Sequence, residues 1–191
     1  MPFKDLKAVL GALNLEISYV ILRNWQALPE EVDIGGHGDL DMLVEDLKKA
    51  EQVLSAIKHF PGEHRVHYRV PVRDSSIRAD LRYVGDRYYH PKWEADILQR
   101  RILNPKGFFT PSDEDHFYTL LYHGACHKSW QWPRAEYVKV LVELAPFIGL
   151  KLTAKDLAHG PTIGKLLKDY MSKHGYGFVD PLDRTVPCRR Y

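Results

Sequence analysis

The sequence predicts a mixed α/β (α+β) protein, with an α/β half over 1–90 and a helical half over 91–191 packed on it. Three observations lead there. Apolar residues of 65–84 recur at every second position on either side of a short turn, the mark of an antiparallel hairpin. Those of 3–14 and 47–57 recur at helical spacing. Beyond Gly85, helical patterns and helix-start residues replace strand patterns. A chain of 191 residues, 45% of them hydrophobic, is long enough to bury a core in one domain or two small ones.

Phe3, Leu6, Val9, Leu10 and Leu13 mark an opening amphipathic helix. Ile17 to Leu22 is a β-branched-rich run that reads as a buried strand, ending at Arg23-Asn24-Trp25. A polar loop with Pro29 leads into the turn Gly35-Gly36-His37-Gly38. From that turn Asp39-Leu40-Asp41-Met42-Leu43-Val44 emerges as a second strand. Asp46 suits the cap of a helix whose buried face is Leu47, Ala50, Val53, Leu54 and Ile57, with Pro61-Gly62 ending it. In the hairpin, Val66, Tyr68 and Val70 lie opposite to Arg65, His67 and Arg69; Ile77, Ala79, Leu81 and Tyr83 lie opposite to Arg78, Asp80 and Arg82. Residues 92–103 read as helix, broken by Asn104-Pro105-Lys106-Gly107. Ser112 caps the next helix, with Asp115 in a capping-box-like position, and that helix runs through His123 towards Trp130. Further helices are predicted over 134–146 and 162–173, with an irregular tail from Gly175.

Bulk properties exclude some classes. A net charge of +2 is too slight to argue for nucleic acid by itself. The two cysteines, Cys126 and Cys188, form no disulfide framework and favour a reducing, cytoplasmic setting. Neither a signal peptide nor an apolar run of membrane-spanning length is evident, so no membrane insertion is expected.

The chemistry concentrates on acids. On a strand Asp39 and Asp41 share one face, and Asp80 points off the apolar face of a neighbouring strand. Carboxylates so grouped repel one another unless a cation or a proton intervenes. Mg²⁺ is held by one or two carboxylates plus substrate phosphates, so the trio suits metal ions set against a triphosphate. The plainer reading makes Asp39 a turn residue, Asp41 a surface acid and Asp80 an ion-pair partner of Arg78 or Arg82. A second group is Tyr122-His123-Gly124-Ala125-Cys126-His127-Lys128, where His123 and His127 share a helix face with Cys126 beside them. Zinc there needs a further distant ligand; otherwise these are core-edge histidines. Third, the aromatic and basic stretch from Arg82 to Trp93 reads either as a stacking platform for a base or sugar or as a core margin.

Ile17 to Asn24, a loop, and then Gly38 to Val44 together resemble the polymerase-β-type nucleotidyltransferase superfamily, most of all its small uncharacterised branch, over 5–84. The resemblance implies a nucleotidyltransferase-like mixed sheet with flanking helices. It implies metal ligation by Asp39, Asp41 and Asp80, with Asp80 also the general base. Where the family carries a Gly-Ser pair in its phosphate loop this chain has Leu22-Arg23-Asn24, so the implied phosphate donors are Arg23 and Asn24, helped by Gly38. Asp113 to Lys128 is similar to a late helix of that branch, which implies that His127 and Lys128 face the nucleotide or the acceptor. The implied activity is Mg²⁺- or Mn²⁺-dependent transfer of a nucleoside monophosphate from an NTP, ATP among the candidates. The acceptor would be a hydroxyl or amine of a small molecule, a glycan or lipid intermediate, a protein or an RNA end. Two other readings stand beside it: a catalytically inactive nucleotide- or partner-binding module, and an RNA-binding module whose affinity falls steeply with salt.

Overall fold

The computed structural model describes residues 2–30 and 39–191; the turn Gly35-Gly36-His37-Gly38 lies outside them. Helix α1 (Leu6–Glu16) opens on an Asp5 cap, whose side chain accepts from Ala8 N–H at 2.9 Å. Strands β1 (Tyr19–Ile21) and β2 (Asp39–Val44) precede α2 (Leu47–Leu54), which Asp46 caps as expected. Then come β3 (Ile57–Lys58) and the hairpin of β4 (His67–Val72) and β5 (Ser75–Tyr83). These strands form a mixed sheet in the order β1-β2-β5-β4-β3, in which β2 and β5 run parallel and the other neighbours antiparallel.

The sheet is covered differently on its two faces. One buries Tyr19, Ile21, Leu40, Met42, Val44, Tyr68, Val70, Ala79 and Leu81 against Leu6, Val9, Leu10 and Leu13 of α1 and Ala50 and Leu54 of α2. The other carries Val20, Leu22 and Leu43 into the core of the helical half. That half comprises α3 (Pro91–Gln99), α4 (Asp113–Tyr122), α5 (Ala135–Leu144), α6 (Ala154–Ala158) and α7 (Gly160–His174). Gly175 ends α7 in the left-handed conformation, φ +71°, which lets Tyr176 N–H return to Met171 O at 2.8 Å. The tail beyond it has no regular structure, as the sequence predicts.

Several boundaries differ from the expected ones. Helix α2 stops at Leu54 because Ser55 turns left-handed, φ +47°. Ile57 therefore starts β3, pairs with Arg69 and is exposed instead of lying on a helix face. The helix predicted over 92–103 ends at Gln99. Ile102–Leu103 (β6) instead pairs with Phe109–Thr110 (β7) around the Asn104–Gly107 turn. The helix expected to continue through His123 changes to a π-helical turn over His123–His127, closed by Lys128 N–H to His123 O at 2.9 Å, and then to a 3₁₀ turn over Ser129–Gln131. Asp115 does not complete a capping box. Fully buried, it accepts from Arg100 Nη2 at 2.7 Å, Arg100 Nε at 2.9 Å and Tyr170 Oη at 3.1 Å, and so ties α3, α4 and α7 together.

Candidate active site

The parallel register of β2 and β5 sets Asp39 opposite Arg78, Asp41 opposite Asp80 and Leu43 opposite Arg82. Residues opposite one another in a sheet project to the same face. The three acids therefore share a face with Arg82, and it is the face that Val20, Leu22 and Leu43 carry under the helices. Apolar where the helical half covers it, this face is charged where the helices leave it open.

Each acid meets a basic group: an arginine for Asp39 and Asp41, a histidine for Asp80. Asp41, 8% exposed, accepts from Arg23 Nη2 at 2.5 Å. Asp39 lies 2.7 Å from Arg78 Nε, and Asp80 lies 2.6 Å from Nδ1 of His67, its partner across the β4–β5 ladder. Burial pushes the Asp41 carboxyl upward, and the nearby Asp80 and Asp39 carboxylates add to this against the pull of Arg23 and Arg82. Burial pushes Asp80 upward as well, but its hydrogen bond with His67 and the charges of Arg82 and Arg23 outweigh that and hold it below the usual carboxylate range. The same hydrogen bond raises the His67 imidazole. Asp80 therefore partners His67, not Arg78 or Arg82. Arg23, expected to reach towards phosphates, lines the cavity and pairs with Asp41, since a buried guanidinium needs a partner. Asn24 beside it is exposed and left-handed, φ +60°, a conformation asparagine tolerates better than most residues.

One cavity of about 560 Å³ gathers these side chains. Arg23, Asn24, Asp39, Asp41, Asp80, His127 and Lys128 all line it, although they are spread over 106 sequence positions. Gly38 lies outside the described residues. The π-helical turn brings in His127 and Lys128. His127 is fully buried with its ring 4.0 Å from that of Tyr88, and among the described residues neither ring nitrogen has a hydrogen-bond partner. Burial, then the charges of Arg82, Arg23 and Lys128, push its pKa well below the ordinary value. His123 is engaged at both ring nitrogens by the hydroxyls of Tyr88 and Tyr137. A zinc site of His123, His127 and Cys126 is therefore not formed, and Cys126 is a buried apolar-core residue.

Among the described residues no three His, Cys, Asp or Glu side chains converge as a ready-made metal cage. Mg²⁺ asks for less, since it takes one or two carboxylates, keeps several waters and shares the substrate's phosphates. Asp41 and Asp80 are hard oxygen donors on adjoining strands that mutually repel, and they fit that demand.

Arg82 is legible in the sequence only as an ion partner of Asp80 and as the start of the aromatic and basic stretch, and other wall residues escaped sequence reasoning altogether. The Arg82 guanidinium sits 3.9 Å over the Tyr88 ring and 3.4 Å from Asp86. Tyr137 on α5 had no signal, nor did Asp183 and Thr185 of the tail, which Leu182 N–H to Asp86 O at 3.0 Å and Arg189 N–H to Cys126 O at 3.0 Å hold in place. The stretch from Arg82 to Trp93 is not a stacking platform. Tyr88, Tyr89 and Trp93 are buried in the helical half's core.

No family model and no curated protein matches the chain. Among solved structures, the chain is similar to the solution structure of the antibiotic-resistance factor ANT(2'')-Ia, at 13% identity and a TM-score of 0.47, over 87% of this chain and 89% of that one. A likeness at that level carries no inference about activity.

Proposed function

We propose that the protein is a Mg²⁺-dependent nucleotidyltransferase, moving a nucleoside monophosphate from an NTP to a hydroxyl or amine acceptor. The observation that supports this most is the pairing of Asp41 with Asp80 on adjoining parallel strands, facing a cavity whose wall also holds Arg23, Arg82 and Lys128. Acids and cations lining one cavity suit a metal-bound triphosphate. Asp39, Asp41 and Asp80 would hold Mg²⁺ or Mn²⁺; when bound, the metal would neutralise charge on the α-phosphate and the leaving group. Asn24, Lys128 and Arg82 would contact phosphate oxygens. Asp80 would accept the acceptor's proton as its oxygen or nitrogen bonds to the α-phosphorus, the bond to the β-phosphate breaks and pyrophosphate leaves. Its lowered pKa keeps Asp80 ionised at neutral pH and makes it a ligand first and a base second.

A catalytically inactive nucleotide- or partner-binding module is the second reading. It is favoured by the basic partner that each acid already has, and by Arg23-Asn24 where the resembled family carries Gly-Ser. Thermal shift with each NTP, with and without Mg²⁺, separates the two, because a ligand bound by the folded form raises its stability. The enzyme reading expects stabilisation that needs metal and nucleotide together and vanishes in Asp80→Asn. Stabilisation by nucleotide regardless of metal, or by none of the four, supports the module.

A further inference from the structure

Hydrogen-bond bookkeeping around His123 leaves one proton over. The His123 ring is buried, and burial, then the charges of Arg23, Lys128 and Arg82, keep it neutral. A neutral imidazole has one N–H and one lone pair. Nδ1 meets the Tyr88 hydroxyl, and Nε2 meets the Tyr137 hydroxyl at 3.2 Å. If Nδ1–H donated to Tyr88, the Tyr88 proton would need another acceptor. Tyr88 also borders the cavity, but at 3% exposure it offers water far less than the half-buried Tyr137, and among the described residues its hydroxyl has no other partner. A buried donor so stranded is costly. In the reverse arrangement Tyr88 donates to Nδ1, and Nε2–H donates to the Tyr137 oxygen. Every buried donor is then used. The proton left over belongs to Tyr137, which is half-buried and lines the cavity.

We infer that Tyr137 is a ligand-contacting hydrogen-bond donor, its proton aimed into the cavity by Tyr88 and His123 acting as positioning residues, and that it meets a phosphoryl oxygen of the nucleotide. The choice of ligand rests on the nucleotidyl-transfer reading. The cations nearby suit an anionic oxygen, although each also has an acid partner: Tyr137 lies within electrostatic reach of Arg23, which pairs with Asp41, and 5.4 Å separates its ring centre from the Arg134 guanidinium, which pairs with Glu136 at 3.0 Å. A hydroxyl that already accepts from an N–H donates more strongly, and a charged acceptor makes the stronger bond.

Nitrogen-15 NMR of the His123 ring at neutral pH tests the proton's direction without any ligand. The Nε2–H tautomer is expected; an Nδ1–H tautomer or an imidazolium overturns the inference. Tyr88→Phe removes the donor to Nδ1 and should move the Nδ1 resonance towards that of a free imine nitrogen, so an unchanged Nδ1 resonance shows Tyr88 to be structural packing and overturns the relay. Calorimetric titration with MgATP, MgGTP, MgCTP and MgUTP then compares the wild type with Tyr137→Phe, which keeps the ring for Arg134. Loss of one charge-assisted hydrogen bond predicts roughly tenfold weaker binding. Equal affinity in the two proteins overturns the ligand contact. No binding of any NTP by the wild type overturns the nucleotide reading and the phosphoryl assignment with it, whereas the tautomer still decides where the Tyr137 proton points.

Discussion

Arg23 sets the terms on which Asp41 works. Their 2.5 Å ion pair is largely buried, so Asp41→Asn leaves a guanidinium without its counter-charge. That substitution should cost about 3–5 kcal/mol in urea denaturation, an effect easily mistaken for lost activity alone. Asp80→Asn is the cleaner probe. Its partner His67 is 45% exposed, and an amide oxygen can still accept from the ring, so a loss below about 1 kcal/mol is expected. Stability should also respond to acid through His116, which burial and then Arg23 push down to about 4. The unfolded chain takes up this proton near the ordinary value of 6.5, before the folded form does. Stability is therefore intact above pH 6.5 and falls towards pH 4 by about 1.4 kcal/mol per pH unit. His123 and His127, also depressed, steepen the same limb. His116→Phe should make it shallower in denaturation curves taken across that range, and an unchanged slope would show that His116 titrates normally. At this scale the sequence revealed the polar face of each strand, including Asp39, Asp41 and Asp80, because a period of two fixes which residues go together. Which cation each acid would take was not legible, since Arg23, Arg78 and His67 compete at distances that only the assembled sheet sets.

The π-helical turn is the element on which the cavity's second wall depends. Gly124 sits within it against Trp132; an added Cβ would come within 2.4 Å of Trp132 Cζ3, and the indole is tethered by Nε1–H to Leu157 O at 3.0 Å. Gly124→Ala should destabilise the fold by about 1–3 kcal/mol, through overpacking against a ring that cannot swing away. Displacing His127 and Lys128, it should also weaken any ligand of the cavity, measured on the same protein by titration. Asp115 acts at the same scale, and Asp115→Ala, which leaves Arg100 and Tyr170 without their shared acceptor, should cost about 3–5 kcal/mol. Strands, helix starts and the hairpin were readable because local pattern and capping chemistry agree there. Three ends were not: Ser55, the Gln99 stop and the change at His123. The first two have no Gly or Pro at the stop itself, and at the third Gly124 lies inside an apolar helical pattern that does not announce the change.

Across the whole molecule, a sheet with one face sealed by α1 and α2 and the other partly sealed by the helical half leaves a charged margin, and the cavity is that margin closed over by α5 and the tail. The tail's share was invisible in advance, because an irregular segment has no periodicity to read. Among the described residues no helix is long and apolar enough to cross a membrane. Under the proposed function a divalent cation and a nucleotide meet at Asp41 and Asp80. Mn²⁺ tests it most directly, since its unpaired electrons broaden the NMR signals of nearby nuclei. With an NTP present, Mn²⁺ should broaden the His67 ring signals first, because that ring touches Asp80, and should spare them in Asp80→Asn. Broadening that spares His67 in the wild type, or that persists in Asp80→Asn, would contradict the account.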